Sequence, residues 1–110
     1  MIYLFKLTMI VLLLLSSNVY AVGWSSYGKI TEFNQQPPGQ ADIILTVDVA
    51  SNPTTCGVKN KFLIDVETKK DERLYSLLLA AFMSGKEVKL FIEDGCPVWN
   101  MPKITGAYVR

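Results

Sequence analysis

Along this chain the apolar positions follow two periods, and the order in which the periods alternate predicts the elements. Ile43, Leu45, Val47 and Val49 alternate with Asp42, Ile44, Thr46 and Asp48, the period of two that a half-buried strand requires. Phe62, Ile64 and Val66 alternate in the same way with Lys61, Leu63 and Asp65. After Val66 the period changes. Leu74, Leu77, Leu78, Ala81 and Phe82 follow the i, i+3, i+4, i+7, i+8 spacing of one helix face. Thr68 or Asp71 can cap the start of that helix, Asp71 and Glu72 suit the positive end of its dipole, and Gly85 can take the left-handed conformation that ends it. Alternation then returns, with Val88, Leu90 and Ile92 opposite Glu87, Lys89 and Phe91, before Asp94, Gly95, Cys96 and Pro97 turn the chain. In a last strand Ile104, Gly106 and Tyr108 share one side and Thr105, Ala107 and Val109 the other.

Upstream, Tyr27, Lys29, Ile30 and Phe33 sit among Ser and Gly, which predicts a first strand over residues 24–33 that bends, Gly28 permitting a bulge or close packing. Residues 35–40, with Pro37, Pro38 and Gly39, read as a turn, and residues 50–56 as a loop that delivers Cys56 to the next strand. Three strands, one helix and two strands give a mainly β fold, a small five-stranded OB-like barrel with one α-helix between strands 3 and 4. The same elements also fit an α+β arrangement, an open antiparallel sheet with one helix packed over it.

The first 21 residues do not fit the barrel. One positive charge, Lys6, precedes an apolar run from Leu7 to Leu15 that stops at Ser16, Ser17 and Asn18. A membrane-spanning helix needs about 20 apolar residues. A short run of this kind followed by Val19, Tyr20 and Ala21 predicts a signal peptide, residues 1–21, cleaved after Ala21, and a single domain over residues 22–110. The expected compartment is periplasmic or secreted, with no stable membrane span after processing. Cys56 and Cys96 are the two cysteines of the chain, and in an oxidising compartment an even pair in a small domain predicts a disulfide.

Charge and composition then narrow the chemistry. The chain has 11 Lys and Arg against 10 Asp and Glu, and loss of Lys6 with the signal leaves the two signs balanced. A balanced domain lacks the electrostatic grip that phosphate backbones require, so no nucleic-acid partner is expected. The sequence has no histidine, which removes the commonest acid–base group at neutral pH, the commonest metal ligand and every histidine-dependent nucleophile. No catalytic residue, metal site or cofactor is expected, and the domain reads as non-enzymatic. Glu93 and Asp94 are adjacent carboxylates, but neighbouring strand positions point apart and the pair reads as a solvated turn.

Aromatic residues outside the alternating core are the candidates for ligand contact: Trp24, Tyr27 and Trp99, whose rings can stack on a sugar or anchor a protein partner, or else plug the barrel ends. On the helix, Tyr75, Leu79 and Met83 form a second apolar stripe at i, i+4 and i+8. A helix that is apolar on two faces needs two burial partners, which points either to a homo-oligomer interface or to a deeper monomeric core.

Residues 74–90, Leu-Tyr-Ser-Leu-Leu-Leu-Ala-Ala-Phe-Met-Ser-Gly-Lys-Glu-Val-Lys-Leu, with Cys96 beyond them, resemble a group of short secreted bacterial proteins in which a Leu- and Ala-rich helix leads through Gly-Lys into a strand and a cysteine. The resemblance extends to Gly28-Lys29-Ile30 and to the closing strand at residues 104–109. This layout is similar to the binding subunit of the subtilase-type AB5 cytotoxins, and the resemblance implies an OB barrel, a pentameric ring with the helix towards its centre, and a cell-surface glycan as ligand. The expectation is therefore an exported binding module with a glycan ligand. The rival expectation is a structural or protein-interaction module of the bacterial envelope that binds no sugar.

Overall fold

The computed structural model describes residues 22–38 and 42–110. The predicted signal peptide lies outside the described residues, as does the tip of the turn at residues 39–41. The elements are β1 (Gly23–Trp24), β2 (Gly28–Gln35), β3 (Ile43–Val49), β4 (Lys61–Ile64), α1 (Lys69–Ser84), β5 (Glu87–Ile92) and β6 (Ile104–Val109).

β2 pairs antiparallel with β3, and β3 with β4. On its other edge β2 pairs with β5, and β5 with β6, both antiparallel. The curled sheet returns on itself where Leu63 of β4 bridges Lys103 in parallel and donates its N–H to the Pro102 carbonyl at 3.0 Å. With α1 between the third and fourth long strands, the sheet path β4-β3-β2-β5-β6 curls into a half-barrel of OB-like order, its two ends joined by the Leu63–Lys103 bridge. An open sheet would leave these ends apart. Between the rims of β2, β5 and β6 sits α1, which contacts all three.

The predicted first strand is present but broken into β1 and β2. Trp24 lies opposite Phe91 and Gly28 opposite Val88, so three residues of the first strand face two of β5. The extra residue is absorbed at Ser25, which is buried, donates its N–H to the Leu90 carbonyl at 2.8 Å and accepts the Leu90 N–H on its hydroxyl at 3.0 Å. A side-chain oxygen thus replaces the backbone acceptor that the bulge removes. Three residues later Gly28 permits the close approach of β3: a Cβ there would collide with the Asp48 carbonyl.

The inward positions follow the period of two. Leu45, Val47, Phe62, Ile64, Val88, Leu90 and Ile92 are fully buried with Leu74, Leu78 and Ala81 of α1 in one core. The last strand departs from strict alternation. Phe91 pairs with Gly106 but Ile92 with Ile104, leaving Thr105 as a bulge. Ile104 is therefore in the core and on the opposite side from Gly106 and Tyr108, where unbroken alternation would put them together.

The helix boundaries agree with the sequence signals. Thr68 is the N-cap, its hydroxyl accepting from the Asp71 N–H, and the Asp71 carboxylate accepts from the Thr68 N–H at 3.1 Å in a capping box. Gly85 closes the helix at φ 67°. Burial removes stabilising water from the Asp71 carboxyl, but hydrogen bonds from the Thr68 hydroxyl and from the Glu67 and Thr68 N–H groups outweigh this and hold it below the usual carboxylate range. Of the predicted core face, Leu74, Leu78 and Ala81 are buried and Phe82 is half-buried against the core, whereas Leu77 is 43% exposed. It stands on the solvent edge of the stripe.

A second, smaller apolar cluster lies outside the barrel. Ile44 and Leu63 point outward from β3 and β4 and are buried under Met101, with Val58 and Val98 beside them. The cover is the β5–β6 connection, and the Cys56–Cys96 disulfide holds it to the β3–β4 loop. Asn52 and Thr54 shape that loop: the Thr54 N–H donates to the Asn52 side chain and the Cys56 N–H to the Thr54 hydroxyl, each at 3.1 Å. This turns the Cys56 sulfur toward Cys96 of the other connection.

Candidate functional site

On β5 the odd-numbered residues point away from the core because Val88, Leu90 and Ile92 are fully buried. Pairing carries that outward face across three strands. Trp24 of β1, Phe91 of β5 and Gly106 of β6 form one cross-strand row, and Lys89 with Tyr108 forms the next. The rings touch: Trp24 and Phe91 meet edge to face with centroids 5.1 Å apart, and Trp24 and Tyr108 are tilted at 4.8 Å. Trp24 remains 42% exposed and Tyr108 55%, so each keeps ring surface in water.

Gly106 makes the row possible. A Cβ at that position would stand 3.2 Å from the Phe91 Cβ and 3.6 Å from the far edge of the Trp24 indole. An aromatic ring over a cross-strand glycine fills the space the missing side chain leaves. The indole is thereby laid along the sheet instead of standing clear of it.

The neighbouring cations are already committed to rings. Lys89 Nζ lies 5.3, 5.7 and 5.1 Å from the centroids of Trp24, Tyr27 and Tyr108. The Arg110 guanidinium covers Tyr27 at 3.8 Å and its Nε is 3.7 Å from the Glu87 carboxylate. These contacts fix the ring orientations through cation–π attraction. Trp24, Phe91, Gly106, Tyr108, Glu93 and Lys70 line an open trough of about 560 Å³. Glu93 is half-buried, its N–H bonded to the Lys103 carbonyl at 2.9 Å and its Oε1 accepting from the Thr105 hydroxyl at 2.8 Å. A smaller recess of about 310 Å³ between Gln35, Asp42, Val66 and Tyr75 offers no comparable platform, since Tyr75 there packs against Phe33 at 5.6 Å.

The three candidate contact residues separate. Trp24 borders the trough. Tyr27 is half-buried beside it with one ring face covered by Arg110, so it orders the platform more than it presents one. Trp99 belongs to the β5–β6 connection, 56% exposed, with Trp99 and Asn100 both at positive φ, 48° and 59°, in the turn between Val98 and Met101. Among the described residues no ring contact joins Trp99 to Trp24, Tyr27 or Tyr108.

The helical stripe also divides. Tyr75 packs on the core, Leu79 is half-buried and Met83 is 77% exposed. Phe91, Tyr108, Gly106 and Glu93 were not singled out for ligand contact by the sequence pattern. Their signal was two aromatics at positions whose strand phase points to solvent.

Glu93 and Asp94 do not act together: Glu93 is engaged by Thr105, and Asp94 Oδ1 accepts from the Gly95 N–H next to it. Among the described residues no cluster of three or more His, Cys, Asp or Glu side chains could hold a metal ion, and no helix is long and apolar enough to cross a membrane. Comparisons with protein-family models, with curated proteins and with solved structures find no match for this chain.

Proposed function

We propose that this chain is an exported, non-enzymatic binding module that holds a glycan against the outward face of β1, β5 and β6. The observation that carries the reading is the exposed Trp24 indole laid over Gly106 between Phe91 and Tyr108. A flat ring held in place and left wet is suited to the apolar face of a sugar, because contact costs little side-chain entropy when the ring is already ordered. The resemblance of the sequence at residues 74–90 and Cys96 to AB5 binding subunits supports the same ligand class. The disulfide is consistent with an oxidising compartment outside the cytosol, and the leader-like residues 1–21 support export. Absence of histidine from the sequence supports binding over catalysis.

A glycan array probed with the oxidised protein and with Trp24→Ala tests this. Retention of a defined set of glycans by the wild type, lost in Trp24→Ala at an unchanged urea midpoint, is the expected result. Equal retention by both proteins removes Trp24 from the site, and no retention by either removes the glycan.

A second reading rests on α1, where Leu77 and Met83 leave apolar surface in water. On this reading the helix meets a protein partner or another copy, the pentameric ring of the AB5 analogy being one form, and the chain serves as an interaction module of the envelope. Light scattering of the wild type and of Met83→Lys separates the two: a mass above the monomer that falls in the variant supports the helix contact. A monomer in both proteins removes self-association.

A further inference from the structure

We infer, taking the Trp24 platform as a sugar site, that the trough beside it selects a neutral pyranose with adjacent hydroxyl groups, and that Glu93 and Lys70 are the residues that read those hydroxyls. The platform itself cannot choose among sugars, since any pyranose with an apolar face can stack on an indole. Selection falls to the polar groups at the trough edge. Beside the Thr105 and Tyr108 hydroxyls, the charged groups among these are one carboxylate, Glu93, and one ammonium, Lys70, whose charges cancel. Among the described residues the two do not form an ion pair with each other.

Glu93 is prepared as an acceptor. Its backbone is tied to Lys103, and Thr105 engages Oε1 at 2.8 Å, leaving Oε2 to accept from a ligand. A carboxylate accepts from adjacent hydroxyls in charge-assisted hydrogen bonds stronger than those between neutral groups. Lys70, on the exposed first turn of α1, brings a donor to the same trough. A carboxylated sugar would meet like charge at Glu93. Lys70 is already balanced by Glu93, and the further cations nearby, Lys89 and Arg110, do not line the trough and lie against the rings of Trp24, Tyr27 and Tyr108. The local charge therefore favours a neutral ligand.

The test is a titration of the oxidised full-length protein with methyl glycosides of neutral hexoses and, in parallel, with their uronic acid counterparts, repeated on Glu93→Gln, Lys70→Gln and Trp24→Ala. The amide introduced by Glu93→Gln can still accept from Thr105, and position 70 is exposed, so urea midpoints near that of the wild type are expected for both. At least one neutral glycoside is expected to bind, more tightly than its acid counterpart. Glu93→Gln should weaken it by about ten-fold or more, the size expected when a hydrogen bond to a charged group is lost, and should narrow the gap to the acid. Lys70→Gln should weaken it several-fold. Tighter binding of the acid, or an unchanged affinity in Glu93→Gln, overturns this selection while Trp24→Ala still abolishes binding and the platform stands. If no glycoside binds, or Trp24→Ala binds as the wild type does, the platform reading fails and the selection with it.

Discussion

The outward faces of β3–β4 and of β1–β5–β6 both carry apolar residues where strand phase predicts solvent, and the chain treats them in opposite ways. On the first, Ile44 and Leu63 are buried under Val98 and Met101 of a connection that the disulfide fastens down. On the second, Trp24, Phe91 and Tyr108 pack on one another and over Gly106, yet Trp24 and Tyr108 keep about half of their surface in water. Aliphatic side chains have no polar edge and need a lid. Aromatic rings with a polar edge can satisfy each other and a cation while still facing solvent. The closed face contributes stability and the open face contributes a surface.

The disulfide should produce the largest effect and should touch the closed face first. With the cysteines 40 positions apart in sequence, the chain-entropy model gives about 4 kcal/mol for the staple. Cys56→Ser with Cys96→Ser should lower the urea midpoint accordingly and make residues 94–103 sensitive to limited proteolysis, with the near-ultraviolet signal of the open-face aromatics unchanged below the transition. An unchanged midpoint would show that the cover is held by packing alone.

Within the cover, Leu63→Ala removes a fully buried side chain and should cost about 2–5 kcal/mol in a urea melt. Tyr108→Ala on the open face should cost clearly less, because more than half of that residue is already exposed. Equal costs would erase the distinction between the faces. Gly106→Ala should lower stability by about 1 kcal/mol, since its Cβ demands only a small shift of Phe91 and Trp24. It should still alter the near-ultraviolet circular dichroism by lifting the indole.

Smallest is an effect that belongs to neither face. The Asp71 carboxyl is held below its ordinary value by the cap, so the ionised form is favoured in the folded state. Its contribution is present above the usual carboxylate range and is lost as pH falls through the lowered value. Asp71→Asn should flatten the acid limb of the stability profile slightly, measured by thermal melts across that range, and leave both faces intact.

How far these features can be read from sequence depends on how local they are. Thr68, Asp71 and Gly85 mark the helix ends because capping is decided within a few residues. The barrel order follows from the alternation and the single helix. The bulges were harder: nothing in the apolar pattern at Ser25, Thr31 or Thr105 announces that strand phase shifts there, and Ile104 changes sides as a result of the last. Leu77 fits the helical spacing yet stands 43% exposed, because burial is settled by what packs on the helix and not by spacing alone. Trp24 could be singled out as a ring outside the alternating core, whereas Gly106, Phe91 and Tyr108 become its neighbours only through pairing across three strands. Glu93 acquires its Thr105 partner through the β5–β6 bulge, a contact between residues 12 apart in sequence that no short motif encodes.

The most direct test of the open face as the binding surface uses the two tryptophans as separate reporters. Trp99→Phe leaves Trp24 alone to fluoresce, and Trp24→Phe leaves Trp99. Both variants would be titrated with the glycans retained on the array. A saturable change in emission from Trp24 in the first variant, and none from Trp99 in the second, is the predicted result. A saturable change from Trp99 alone, or from neither, would contradict the account.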